Sequence, residues 1–295
     1  MTDTLAPQPP RGFRRLRAAL GLRPAGPHYA FYRHKLPVRL SHWLNALCLA
    51  VLLMSGLNIF NAHPALYWGN SSDFERPLVM LGAMANADGE VVRGITQIGQ
   101  TQIDTTGLLG ASKQGDQLVS RGFPAWATLP AFNWLAMARN WHFAFAWILV
   151  INALGFYLYG LFSRHFQRDL LPTPAEISHL PQEIVDHARL KFPHGEKARH
   201  YNALQKLAYC FVIFILGPLV VLTGLTMSPT MDAAYPILPW MFGGRQSART
   251  IHFICAFSFF GFFIVHIAMV ILSGTWNNIR SMITGWYVID RSGDD

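Results

Sequence analysis

The chain has 295 residues, 52% hydrophobic and only 14% charged, with a net charge of +8 and a mean hydropathy of +0.24. That balance excludes a soluble domain of this size and points to a polytopic membrane protein. The positive charge is no nucleic-acid signal, because it alternates along the chain: eight of the 24 Lys and Arg fall in residues 1–39 and seven in 163–206, against five in 61–140 and two in 229–249.

Such alternation is the positive-inside pattern. It predicts a membrane protein with both termini and the 163–206 loop in the cytoplasm, and 61–140 outside. Residues 1–35 form a basic Pro/Arg-rich tail that also suits anionic lipid. Its Arg14-Arg15 pair is not followed by the apolar run of an export signal, so the first span is expected to stay uncleaved.

A membrane domain is predicted over 36–290, with spans at 40–60, 141–162, 207–227 and 250–273, each free of Asp, Glu, Lys and Arg. Each meets the roughly 20 residues needed to cross a hydrocarbon core of about 30 Å. Pro37 suits the first turn of a helix, so the first span begins near it. The 61–140 insert is too long for a plain connector. Its "GEVVRGITQIGQTQID" predicts a hairpin within a small external cap, and "FPAWATLPAF" brings aromatics back to the interface. In the 163–206 loop, "LPQEIVDHARLKF" predicts a short surface helix, and Pro218 predicts a kink in the third span. Residues 291–295 are a short cytoplasmic tail. No internal repeat stands out, and the fold class is an all-α bundle of four membrane helices with an insert between the first two.

Twelve histidines are present. His28, His165, His179, His187, His194 and His200 fall in loops, where a solvated imidazole is expected, and His63 lies just past the first span. His42, His142, His252 and His266 lie inside or at the lip of spans, where an unpartnered polar ring costs several kcal/mol. In "HFICAFSFFGFFIVH" the fourteen steps from His252 to His266 rise about 21 Å and end roughly 40° short of four whole turns. Both rings therefore leave one face, at two depths. The alternating direction of the spans pairs His142 with His252 near the outer face and His42 with His266 near the inner one.

Two imidazoles on facing helices in a dry setting, twice over, are what bis-histidine haem iron requires, and such a haem serves electron transfer. The Phe-rich wall of "FSFFGFF" suits an apolar macrocycle, and Gly261 and Gly155 would let it approach the backbone. Arg39 is the propionate partner expected at the inner level, Arg139 or Arg249 at the outer. A proton relay or a transport pathway is the competing use of membrane histidines, but these spans hold no acid or base to share a proton. Zinc is disfavoured because each level offers only two nitrogens. Cys48, Cys210 and Cys255 lie within spans and form no CxxC or CxxCH, which excludes iron–sulfur clusters and covalently attached haem.

"RLSHW" opening the first span and the His-x13-His of the fourth resemble the prokaryotic cytochrome b561 family, which includes the cytochrome b subunits of nickel–iron hydrogenases and is related to the gamma subunits of formate dehydrogenases. The resemblance implies two stacked b haems on the same four histidines. His34, eight residues before His42, is a competing ligand, but helix geometry turns it about 80° off the face. "ARHYNALQKLAY" resembles a stretch that in the formate dehydrogenase relatives helps form a quinone pocket. That makes Asn202 and Gln205 quinone-pocket candidates, with Leu204 standing where those relatives carry glycine. An amphipathic helix start, with Lys206 reaching to lipid phosphates, remains the alternative there.

The expected function is electron transfer between a periplasmic oxidoreductase and the quinone pool. A molybdenum enzyme is the first expectation for that partner and hydrogenase the second. The alternatives are a stand-alone quinol-oxidising cytochrome acting on a small external oxidant, and a transporter or anchor with no cofactor.

Overall fold

A computed structural model describes residues 28–189 and 202–290. Among these, four helices are long and apolar enough to cross a membrane: α1 (Leu36–Asn61), α2 (Leu135–Phe162), α5 (Ala203–Thr226) and α8 (Arg245–Leu272). Each begins four to six residues before its predicted span. The apolar run alone sets a span, whereas the helix also takes in polar residues at its lip, such as Arg39, Arg139 and Arg249. Helix α5 is not uniform. A π-helical turn, Phe211–Leu216, lies immediately before Gly217-Pro218. Proline has no N–H to give and its ring crowds the carbonyl four residues back, so the ladder widens there rather than breaking.

The chain divides into two compact units, and every membrane helix gives one end to each. The first gathers the described residues of Met1–Trp43, Gly155–Ile213 and Gly261–Asp295. Here β1 (His28–Tyr32) pairs antiparallel with β8 (Trp286–Asp290), so residues 28–32, expected to belong to a tail, form a strand. Asn277 of α9 (Thr275–Thr284) clamps that ribbon, donating to Val288 O at 2.7 Å and accepting from Val288 N at 3.1 Å. Trp43 Nε1 donates to Met282 O, holding the start of α1 against α9. The loop after α2 carries α3 (Pro174–Ser178) and α4 (Leu180–Ala188), the latter where a surface helix was expected. The expectations for residues 1–27, His194, His200 and the 291–295 tail lie outside the described residues.

The second unit comprises Leu44–Leu154 and Phe214–Phe260 and contains the insert. The expected hairpin is β4 (Val91–Ile98) with β5 (Thr101–Asp104), turning at Gly99 with φ +57°. It belongs to a larger antiparallel sheet of order β2-β3-β4-β5, with β2 at Ala65–Leu66 and β3 at Val79–Ala85. A separate hairpin joins β6 (Ala111–Gln114) and β7 (Gln117–Ser120). Sheet and helices share one apolar cluster, Phe60, Leu66, Leu81 and Phe123, against which Phe253 packs. Each such side chain contributes about 1.5–3 kcal/mol by leaving water. Two short helices, α6 (Pro229–Ala234) and α7 (Ile237–Phe242), connect α5 to α8, and Gly243 ends α7 in the left-handed region at φ +70°.

Candidate functional site

In the second unit His142 of α2 faces His252 of α8, with ring centroids 6.2 Å apart. Each ring leans on a hydroxyl–glycine step of a neighbouring helix. His142 Nδ1 lies 3.1 Å from Ser55 Oγ on α1, and the ring also faces the Leu52 backbone one turn earlier. His252 Nδ1 lies 3.2 Å from Thr223 Oγ1 and 2.9 Å from Val220 O on α5. A carbonyl only accepts, so Nδ1 of His252 carries the ring proton and Nε2 keeps its lone pair. The residues after the hydroxyls match as well. A Cβ added at Gly56 would stand 3.3 Å from His142 Cε1, and one at Gly224 would stand 3.3 Å from His252 Cε1. Leu52, Ser55 and Gly56 thus correspond position by position to Val220, Thr223 and Gly224. This local repeat, "VLLMSG" against "LVVLTG", was available in the sequence but is too short and too ordinary in composition to stand out there.

In the first unit His42 of α1 faces His266 of α8, centroids 6.1 Å apart, and Phe262 stacks on the His266 ring at 5.9 Å. Both pairs fit one metal between two imidazoles. A metal–nitrogen bond of about 2 Å, with roughly 1 Å more from nitrogen to ring centre, would set two ligating rings about 6 Å apart. Among the described residues Arg39 Nε is buried without a hydrogen-bond partner, as is His42 Nδ1. A buried guanidinium edge of that kind suits an anion such as a propionate. In the second unit Arg249 donates to His63 O at 2.5 Å and lies over Phe60, and Arg139 lies over Phe143. An added Cβ at Gly155 or Gly261 would meet nothing within 4 Å.

His34 is buried and takes no part in either ring pair. Burial first, then the charge of Arg33, pushes its pKa down to about 3, so it is neutral at physiological pH. His165, expected to be a solvated loop residue, is instead packed against Phe156 and Tyr159, with Nδ1 2.7 Å from Asp169 Oδ2. The π-helical turn Phe166–Leu170 beside it escapes sequence reading because it follows no apolar period. Asn202 and Gln205 form a capping box on α5: Asn202 Oδ1 accepts from Gln205 N at 2.8 Å, and Gln205 Oε1 from Asn202 N at 3.3 Å. Lys206 does not reach outward to phosphates. Its buried ammonium donates to both oxygens of Glu176, at 2.8 and 3.0 Å. The Lys206 bond and the Thr173 backbone N–H hold that carboxyl below its ordinary range.

Residues 33–285 match the family described as prokaryotic cytochrome b561. Among curated proteins, the putative protein-methionine-sulfoxide reductase subunit YedZ1 of Azospira oryzae is 34% identical over 140 residues, which cover 48% of this chain and 68% of that one. No solved structure matches.

Proposed function

This chain belongs to the prokaryotic cytochrome b561 family, which makes it a membrane haem b electron-transfer protein, and we propose that it holds two such haems and links an outer-face oxidoreductase to the quinone pool. His142 with His252 would hold the outer haem, and His42 with His266 the inner one. The observation that carries this reading is the repeated ring separation, 6.2 and 6.1 Å, in two separate pairs. Bound there, the groups would supply reversible one-electron transfer with no open coordination position. The chain's own residues do the rest. Phe262 stacks on the His266 ring, Arg39 offers a cation to a propionate, and Nδ1–H of His252 is committed to the backbone so that Nε2 keeps its lone pair.

The basic segments 1–39 and 163–206 support a cytoplasmic position for both, which puts the inner haem and the quinone on that side and the insert in the periplasm. Asn202 and Gln205 remain the pocket candidates, acting through the shape of the capped helix start rather than through free side chains. The YedZ1 name supports a reductase of oxidised methionine as partner; we place that partner at the outer face, fed from quinol, with a molybdenum enzyme the class proposed and hydrogenase the next.

The deciding experiment is a pyridine haemochrome assay with reduced-minus-oxidised spectra on purified chain and its variants. Two protohaems per chain are expected, falling to one in His252→Ala, His142→Ala, His42→Ala or His266→Ala. His34→Ala should retain both. If His34→Ala loses a haem while His42→Ala keeps two, the inner assignment is wrong. A folded chain with no haem overturns the reading.

A further inference from the structure

We propose that the hydroxyls of Ser55 and Thr223 are positioning groups for the outer histidine pair, fixing the orientation of both rings and holding the outer haem at a lower potential. The inference rests on the reading that His142 and His252 ligate one haem.

The argument begins with where each hydroxyl proton goes. Ser55 Oγ donates to Val51 O at 2.6 Å, and Thr223 Oγ1 donates to Leu219 O at 2.7 Å, both four residues back on their own helix. A hydroxyl has one proton, so toward the histidine each oxygen acts only as acceptor. The Nδ1–H of His142 and of His252 therefore donates to it, at 3.1 and 3.2 Å. Both hydroxyl residues are fully buried, 0% exposed, so no water competes for the bond. Two helices with different sequences present the same acceptor at the same place relative to the following glycine. Packing alone would not require a hydroxyl at either position.

The ring proton of His252 is thus shared between Thr223 Oγ1 and the Val220 carbonyl, while that of His142 is directed at Ser55 Oγ. Such an acceptor keeps the ring from turning about its Cβ–Cγ bond and makes Nε2 a stronger donor to a metal. A stronger donor favours the ferric over the ferrous iron, which lowers the reduction potential. Removing the Thr223 hydroxyl leaves the Val220 carbonyl in place, so the bond at His252 is weakened rather than lost, and the potential is expected to rise without loss of ligation.

The test is a potentiometric titration of the haem bands in the full-length purified chain, with haem content measured on each preparation. Thr223→Val keeps the shape and removes the oxygen, Thr223→Ser keeps the oxygen, and Ser55→Ala gives an independent removal on the other helix. Thr223→Val and Ser55→Ala are expected to keep two haems, with one redox component moved to higher potential and the other unmoved, while Thr223→Ser stays close to the unmodified chain. Loss of one haem in Thr223→Val that Thr223→Ser restores also supports the assignment. Two haems with both components unmoved would overturn the inference and leave the ligand reading standing, as would equal haem loss in the valine and serine variants. Two haems retained in His252→Ala would instead overturn the ligand reading beneath it.

Discussion

At Gly224 the absence of a side chain is used directly: a methyl there would stand 3.3 Å from Cε1 of His252, tighter than ordinary carbon contact. In a helix interior, alanine otherwise favours the fold by about 1 kcal/mol over glycine. The two effects oppose each other and are read by different instruments. Gly224→Ala and Gly56→Ala are expected to yield chain with less outer haem, measured by haemochrome, without the gain in melting temperature that propensity alone would give. Full haem content with a raised Tm would show that the ring does not depend on that contact. Lys206 and Glu176 make a second residue-scale case. Because Lys206 is buried, 7% exposed, Glu176→Gln leaves an ammonium with a weaker partner and is expected to cost about 1–3 kcal/mol. The folded-state pKa of Glu176 is depressed below its ordinary 4.5. Its contribution is therefore complete above that pH and fades as pH falls through the folded value. Acid melting curves should fall below about pH 4.5 in the unmodified chain and less steeply in Glu176→Gln. Of these residues, the histidines were legible because a polar ring in hydrocarbon is rare. Ser55, Gly56, Thr223 and Gly224 were not, since small residues are common in any membrane helix.

Element boundaries show a different limit. The apolar runs located all four membrane helices, yet Leu135 and Arg245 as starting points depend on polar residues that no hydropathy window admits. The hairpin at Gly99 was readable from its β-branched alternation, whereas β2 and β3 were not. Ala65–Leu66 is two residues long, and "VMLGAMA" has neither charge nor alternation to mark it. Their place depends on tertiary ties, and those ties are testable. Asn58, 3% exposed, donates to Pro130 O at 2.6 Å and to Phe132 O at 2.9 Å, fastening the segment before α2 to the end of α1. Asn61 repeats the device on Phe123, accepting from its N–H at 2.6 Å and donating to its carbonyl at 3.1 Å. Asn58→Leu removes the donor from two part-buried hydrogen bonds, each worth about 0.5–1.5 kcal/mol. Limited proteolysis in detergent should then cut within 123–134 faster than in the unmodified chain, with the 79–104 sheet still resistant. Equal cutting rates would mean that Asn61 and the bond from Leu129 N to Met54 O secure the segment without Asn58.

For the whole molecule, function depends on which side each end of the bundle faces, and no contact within the chain encodes that. The distribution of Lys and Arg does, because basic loops are retained on the cytoplasmic side during insertion. The chain is well suited to a direct test. Cys48 and Cys255 are buried, at 0% and 2% exposed, so with Cys210 replaced an added exposed cysteine gives a clean signal. Lys113 stands exposed on β6, two residues before the turn of the β6–β7 hairpin, and Arg168 in the loop after α2 is also exposed. In whole spheroplasts, Lys113→Cys is expected to react with a membrane-impermeant maleimide and Arg168→Cys only after lysis. The reverse pattern would place the His42–His266 end outside and the insert in the cytoplasm. The quinone candidates Asn202 and Gln205 would move outward with that end. The proposed oxidoreductase partner would then have to dock from within, and the proposed delivery of electrons to an outer-face enzyme would no longer be tenable.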